Sequence, residues 1–409
     1  MHIYHRWQQA NIQQALSTRR VLLLSGARQC GKTTLAKEFG DKDTEYRTLD
    51  DLTLRQSAES DPHGFVKHSK HTLIIDEVQR VPNLLSAIKK VVDEDTRNGQ
   101  YLLTGSANLQ ALPGVQESLA GRISKLRLRP LSQGEQQQTA PQFLKCAFSG
   151  SLNASAQHFD KDDLIEMACA GGYPEALLLQ GRDRKRWHTD YIDAILEHDL
   201  ADITRIHRQD QMQELIRVLA AWSSRFMNVT RIGSSLSLQK QALYAYINAL
   251  EALYLTERVR PWTRTDYERI GKQDKLFVTD SGLMASLLGW NIDRVRFDSD
   301  RCGKLIETFA FNELAAQVDV SNNLYTLWHY RDRQKREIDF LIEREDGAML
   351  GIEIKSGSNI GLNDFRHMKW FKETLLKDQP FTGIILYSGE NIASFGKNML
   401  AVPFGALWA

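Results

Sequence analysis

No stretch of this 409-residue chain approaches eighteen uninterrupted apolar residues, roughly the minimum for a membrane-crossing helix. The segment from Met1 to Trp7 has no apolar core of the kind a signal peptide carries. Neither a membrane partner nor export is therefore expected. Cysteine is equally sparse: Cys30, Cys146, Cys169 and Cys302 stand far apart, with no C-x-x-C pair. That spacing argues against structural zinc and disulfides and for a reducing, cytoplasmic setting. Nor is there an excess of charge, since 52 basic residues against 51 acidic ones leave a formal net of +1. The whole molecule does not advertise nucleic-acid binding. Between positions 201 and 275, however, 12 Lys and Arg against 8 Asp and Glu make a mild basic bias that permits phosphate contacts.

What is present is concentrated in a few motifs. The apolar run Val21-Leu22-Leu23-Leu24 leads into Gly26-Ala27-Arg28-Gln29-Cys30-Gly31-Lys32-Thr33, followed by the helix-like Thr34 to Phe39. This fits the phosphate-loop pattern G-x-x-x-x-G-K-[ST] between a strand and a helix. The two glycines let successive N–H groups turn toward phosphate oxygens, and the helix adds its positive end. Residues Gly26 to Thr34 are thus the expected contacts for ATP. Lys32 would reach the β and γ phosphates, and the Thr33 hydroxyl would be a Mg²⁺ ligand.

A second apolar run ends in two carboxylates, Leu73-Ile74-Ile75-Asp76-Glu77. Asp76 is placed to hold Mg²⁺ through water, and Glu77 to polarise the water that attacks the γ-phosphate. A third run, Gln100 to Thr104, opens into Gly105-Ser106-Ala107-Asn108. Ligands of parallel α/β sheets sit at the carboxyl ends of strands, so Thr104, Ser106 and Asn108 are candidate phosphate sensors. Arg122 could supply positive charge to phosphoryl transfer, in cis or from a neighbouring copy in a homo-oligomer.

The chain is too long for one ordinary core, so two or three domains are expected. Strand-like runs near 20–25, 45–49, 72–76, 100–104 and 124–129 alternate with helical stretches, which predicts a parallel α/β sheet within a first domain, 1–135. Gln133 to His158 reads as a polar connector. A helical region, 160–265, follows. Within it, helices over 212–222, 229–236 and 239–254 precede an extended tail, 255–259, the layout of a winged helix-turn-helix. Lys240, Gln241, Tyr244 and Asn248 would face outward on its third helix, available to DNA.

The last region, 270–409, carries another constellation. Arg336 to Glu343 and Leu350 to Lys355 alternate in polarity around Glu345-Asp346-Gly347, which reads as a hairpin. A three-residue turn centred on Asp346 places Asp339 opposite Glu353, and period-two alternation puts Glu353 and Lys355 on one face. Facing carboxylates need a cation. Mg²⁺ or Mn²⁺ held by Asp339, Glu353 and the Ile354 carbonyl would supply it, with Lys355 acting on a water and Glu307 adding a further ligand. The bland reading is a salt-bridged hairpin in which Lys355 neutralises the acids.

The order Glu307, Asp339, Glu353-x-Lys355 resembles the active-site signature of restriction-endonuclease-like PD-(D/E)XK nucleases. As a whole, the chain resembles prokaryotic AAA-type ATP-binding proteins whose C-terminal half is a domain of unknown function. The carriers are the phosphate loop, LIIDEVQRVP, LLTGSAN, LAGRI with RLRPLSQGE, GGYPEAL, Lys275 to Leu283, REIDF and IEIK. The resemblance implies ATP binding and, more distantly, a role with DNA. Two functions are compatible with these motifs. One is an ATPase coupled to a DNA-binding winged helix and a metal-dependent nuclease-like domain. The other is an ATP-switched regulator or scaffold that grips DNA or a protein without cutting.

Overall fold

The computed structural model describes residues 4–107, 121–153, 157–199, 209–265 and 272–409. Asn108 lies outside these residues. Five strands, β1 (Val21–Ser25), β2 (Thr44–Thr48), β3 (Thr72–Asp76), β4 (Tyr101–Gly105) and β5 (Ile123–Arg127), form a wholly parallel sheet in the order β2-β3-β4-β1-β5. Helices α1 (Gln8–Thr18), α2 (Lys32–Glu38), α3 (Leu52–Ser60), α4 (Pro62–Val66) and α5 (Leu84–Glu94) accompany it. β1, β3 and β4 are buried along their whole length, as continuous apolar runs covered on both faces require. Because β4 separates β1 from β3, the phosphate loop after β1 and the acids after β3 flank the exit of β4.

The expected polar connector is instead folded. Ser132 and Glu135 form a reciprocal capping box that starts α6 (Gln133–Gln136), and α7 (Phe143–Ser149) follows. The S-x-x-E spacing is a helix-start signal in the sequence. Next come α8 (Lys161–Ala170), α9 (Pro174–Leu177) and α10 (Gly181–Ala194). Helix α11 (Gln209–Trp222), strand β6 (Arg225–Phe226), helices α12 (Val229–Ser235) and α13 (Lys240–Ala252), and strands β7 (Thr256–Val259) and β8 (Lys275–Val278) then make a three-helix module. Its antiparallel sheet has the order β6-β8-β7. Leu243, Tyr246, Ile247 and Leu250 are buried and Lys240, Gln241, Tyr244 and Asn248 exposed, as the spacing predicts. β8 belongs to this sheet, so the expected boundary at 270 moves downstream of that strand.

Helices α14 (Ser281–Leu287) and α15 (Ile292–Val295) lead to the long α16 (Ser299–Asp319). The last region is a six-stranded mixed sheet in the order β13-β14-β12-β11-β10-β9. It is built from β9 (Tyr325–Arg331), β10 (Glu337–Arg344), β11 (Met349–Lys355), β12 (Phe381–Tyr387), β13 (Ala393–Ser394) and β14 (Met399–Pro403), with α17 (Arg366–Phe371) between β11 and β12. β10 pairs antiparallel with β11 through Phe340↔Ile352 and Glu343↔Met349. Every such pair is symmetric about Asp346, so the turn centre read from the sequence holds.

Backbones from three segments touch at one seam. A Cβ on Gly172 would lie 2.1 Å from the Leu131 carbonyl oxygen, and one on Gly282 would lie 2.7 Å from that of Ala170. The Leu131 N–H donates to the Gly172 carbonyl at 2.7 Å. Asp280 caps α14 through the Leu283 N–H and also accepts from the Gly172 N–H, both at 2.7 Å. PLSQGE, GGYPEAL and the Lys275–Leu283 segment therefore meet here. Beside the seam, buried Arg129 binds Glu257 of β7 with both terminal nitrogens, at 2.9 and 3.0 Å, and Asp319 of α16 at 2.7 Å. Glu313 accepts from the Gln133 N–H at 2.9 Å and from the Trp408 indole at 2.7 Å.

These buried groups set the response to pH. Burial alone would raise the Glu257 carboxyl, but Arg127 and Arg129 outweigh it and hold it at about 2. Its contribution is present above the ordinary glutamate range and lost as pH falls toward 2. Burial lowers His188 to about 4 and His329 to about 3, so their contribution is present above about 6.5 and lost as pH falls through those values. Burial raises Asp280 to about 6 and Glu313 to about 7. Their contribution is present at low pH and lost as pH rises through those values. Between about 4.5 and 6 the two histidines and two carboxyls nearly cancel. Glu307, which burial raises to about 8, and Glu353, raised well above its ordinary value, tip that balance, so urea midpoints are expected to be highest near pH 4.5, to fall steeply below pH 4 and to fall gently as pH rises toward 8. A midpoint still rising between pH 7 and 8 would contradict these assignments.

Candidate functional site

The loop after β1 closes over a cavity of about 540 Å³. Arg28, Gln29, Gly31, Lys32, Thr33, Thr34, Asp50 and Glu77 line one side, with Pro174, Glu175 and Leu178 from the middle region opposite. Gly31 has φ 101°, a left-handed conformation open mainly to glycine. Gly26 sits where a Cβ would lie 2.1 Å from the Leu128 carbonyl oxygen, fixing its close approach to the end of β5. The loop is braced from outside: Arg6 donates to the Cys30 carbonyl at 2.8 Å and to the Arg129 carbonyl at 2.7 Å, and pairs with Glu135 at 3.0 Å. Cys30 is fully buried and its thiol donates to the Leu128 carbonyl at 3.4 Å. Thiol reagents would meet packing there rather than an open side chain. Lys32 is buried, with Nζ 2.9 Å from the Ala27 carbonyl oxygen.

Asp76 stands at the centre of an oxygen cluster. Thr33 Oγ1 lies 3.1 Å from both carboxylate oxygens, Tyr46 donates its hydroxyl at 2.8 Å, and Thr104 donates from the end of β4. Burial and the Asp76 charge raise the Tyr46 phenol, keeping it a donor. Glu77 has φ 61°, a conformation that costs a non-glycine residue about 1–2 kcal/mol. Its N–H donates to Thr104 Oγ1 at 3.1 Å. Gln79 bridges the Glu77 carboxylate and Ser106 Oγ. Burial would raise the Glu77 carboxyl, but Lys32, Gln79 and Ser106 outweigh it and hold it below the ordinary glutamate value, in the charged form. Lys32, Thr33, Asp76, Glu77 and Ser106 are thus brought together. Arg122 is not. It precedes the first residue of β5, which pairs with Val21 at the opposite end of the sheet, and it binds Asp93. Tyr46, and the lining by Pro174, Glu175 and Leu178, have no local signal in the sequence.

Residues 18–137 match a family described as AAA domain. This region is similar to AAA domains. Downstream of the AAA domain, residues 161–294 and 302–407 match two further families, each described as a domain of unknown function (DUF8612 and DUF4143). Over 396 residues the chain is 26% identical to uncharacterized proteins of Mycobacterium tuberculosis and Mycobacterium bovis, covering 96% of this chain and 82% of each relative. Among solved structures, AMPPCP-bound DnaA from Aquifex aeolicus is similar with a TM-score of 0.30 at 13% identity, over 59% of this chain and 85% of that one. The RuvB Holliday junction branch migration motor of Thermotoga maritima is similar with a TM-score of 0.28 at 16% identity, over 63% and 90%.

A second cluster lies beyond the AAA domain. Glu307 on α16, Glu337 and Asp339 on β10 and Glu353 on β11 converge, and their cation is Lys275 of β8. Its Nζ is 2.5 Å from Glu307, 3.1 Å from Asp339 and 3.2 Å from Glu337. Burial would lower the Lys275 ammonium, and the charges of Glu307, Asp339 and Glu337 outweigh it, leaving it protonated far above the usual lysine range. Burial raises Glu307 to about 8 against the opposing pull of Lys275. Burial and the neighbouring Asp339 charge raise Glu353 well above its ordinary value. Lys355 points away and meets Asp364 at 3.3 Å. The expected neutralising lysine is therefore Lys275, not Lys355. Among the described residues no group of three or more acids, histidines or cysteines is arranged to hold a metal ion. As arranged, these acids do not fit one.

Proposed function

We propose that the chain is an ATPase whose nucleotide state is transmitted to the three-helix module and the C-terminal mixed sheet. The observation that carries this reading is the convergence of Lys32, Thr33 and Glu77 on one cavity that the middle region also lines, with Asp76 bound to Thr33 beside it. In this reading the loop N–H groups and Lys32 hold the phosphates. Glu77, charged and fixed by Gln79 and Thr104, orients the attacking water and takes up its proton. The hard oxygen set of Thr33 and Asp76 fits Mg²⁺, which when bound would neutralise phosphate charge. Ser106 reports the γ-phosphate to Glu77 through Gln79. The charge of Arg122, at the far end of the sheet, could serve only a neighbouring copy in a homo-oligomer.

The downstream regions give this switch its targets. Helix–strand–helix–helix–strand–strand connectivity and the exposed Lys240, Gln241, Tyr244 and Asn248 support a winged helix that meets DNA through α13. The order α16-β9-β10-β11-α17-β12, with acids on α16, β10 and β11, supports a nuclease-like domain. Lys275 among those acids favours the second reading, in which the domain binds without cutting. The deciding experiment measures ATP hydrolysis alongside fluorescence anisotropy of labelled duplex DNA, for wild type and Glu77→Gln. We expect Glu77→Gln to retain ATP but turn it over about 10²–10⁴-fold more slowly, and DNA affinity to differ between the ATP and ADP states. Equal turnover would remove Glu77 from the mechanism, and nucleotide-independent DNA binding would break the proposed coupling.

A further inference from the structure

Resting on the nuclease-like reading of the C-terminal domain, we propose that Lys275 is a built-in plug that keeps divalent cations out of the Glu307–Asp339–Glu353 cluster until β8 withdraws. The lysine and the acids come from different modules. Lys275 is a residue of the three-helix module's sheet, paired with Val259 of β7 on one side and Phe226 of β6 on the other. Its partners stand on α16 and β10 of the C-terminal domain, and Asp339 in turn accepts the Ile354 N–H of β11 at 3.0 Å. The lysine is only 1% exposed. Its ammonium is lodged near two rings, 5.5 Å from the Phe226 centroid and 6.0 Å from that of Phe340.

Two cations cannot share this space. A hard divalent ion takes carboxylate oxygens at about 2.0–2.6 Å, and Glu307 and Asp339 already give one oxygen each to the ammonium. An ion entering beside them would meet a fixed positive charge a few ångströms away in a dry site, where like-charge repulsion is poorly screened. Without the ammonium, the same acids would face one another uncompensated and would recruit a cation from solution. The strand that carries the plug is tied to the AAA domain, because Glu257, bound by Arg129, lies on β7 opposite Phe277 of β8. Nucleotide-driven movement of Arg129 would therefore pull on the ribbon that ends in Lys275.

The test is Mn²⁺ uptake without nucleotide, read from the electron paramagnetic resonance signal of free Mn²⁺. It uses full-length wild type, Lys275→Met, Lys275→Gln and the double variant Lys275→Met/Asp339→Asn, with circular dichroism to confirm folding. Lys275→Gln retains hydrogen-bond donors should the methionine variant fail to fold. Both single variants are expected to take up an additional Mn²⁺ about tenfold or more tighter than wild type, and the double variant to lose it. Asp339-dependent uptake by wild type as tight as by the variants would overturn the plug. So would a folded Lys275→Gln protein with no additional ion. Added plasmid DNA separates the two ideas: uptake without cleavage supports the plug while removing nuclease activity from the domain's reading.

Discussion

Lys32→Ala is expected to remove ATP turnover almost entirely, a loss of about 10²–10³-fold or more, because a preorganised charge at a transferring phosphoryl group is worth that much in a dry site. Lys32 is 4% exposed and its Nζ rests on the Ala27 carbonyl. The ammonium is thus already desolvated and pointed along the loop, so little reorganisation separates it from a bound phosphate. Lys32→Arg is no substitute, since a planar guanidinium does not fit the slot of a compact ammonium. Glu77 would respond too: Lys32 is the leading charge that holds its carboxyl in the ionised form against burial. Phosphate release and binding of a fluorescent ATP analogue, measured on the same preparation, check this. A variant that turns ATP over at the wild-type rate would take the site out of the AAA domain's chemistry.

Arg129→Ala should be the most damaging single change away from that site. It strips the guanidinium from Glu257 and Asp319 together, and breaking a buried pair by removing one partner costs about 3–5 kcal/mol. Arg129 serves β7 with two nitrogens and α16 with a third, a geometry that lysine cannot reproduce. Arg127 also reaches Glu257 at 2.7 Å and softens the loss on that side, whereas Asp319 loses its ion-pair partner. Urea unfolding of wild type, Arg129→Ala and Arg129→Lys reads the cost directly. A loss below about 1 kcal/mol, the worth of an exposed pair, would mean that the junction is solvated and does not hold the regions together.

Much of this was legible from local pattern. Val21-Leu22-Leu23-Leu24 and Leu73-Ile74-Ile75 read as buried parallel strands because no polar residue interrupts them, and the glycine spacing around Lys32 left little choice of backbone. The hairpin register followed from counting outward from Asp346. Long-range electrostatics was not legible in the same way. Lys275 heads an otherwise apolar run, where a lysine reads as a strand edge facing water; only the tertiary arrangement of α16 and β10 turns it inward. Lys355 has the right spacing from Glu353, yet Asp364 on the following turn draws it away. Arg122 looked close to the phosphates because sequence distance does not reveal at which end of a parallel sheet a residue enters. GGYPEAL and the Asp280–Leu283 turn were recognisable as motifs, but their cause, close approach of backbones from different regions, is a property of the assembled fold.

That glycine seam constrains how the protein can move. At Gly172 and Gly282 one main chain lies directly on another, with no side chains between them to slide past one another. Shear, the gradual creep of packed helices, relies on such a deformable layer. A seam without one behaves like a hinge pin: it can rotate but cannot translate. If nucleotide state is transmitted as proposed, a displacement of the AAA domain would reach the rest of the chain as a rotation, smallest at Gly172 and growing with distance from it. Lever length, rather than the number of contacts broken, would then set how far each distant surface travels in one nucleotide cycle.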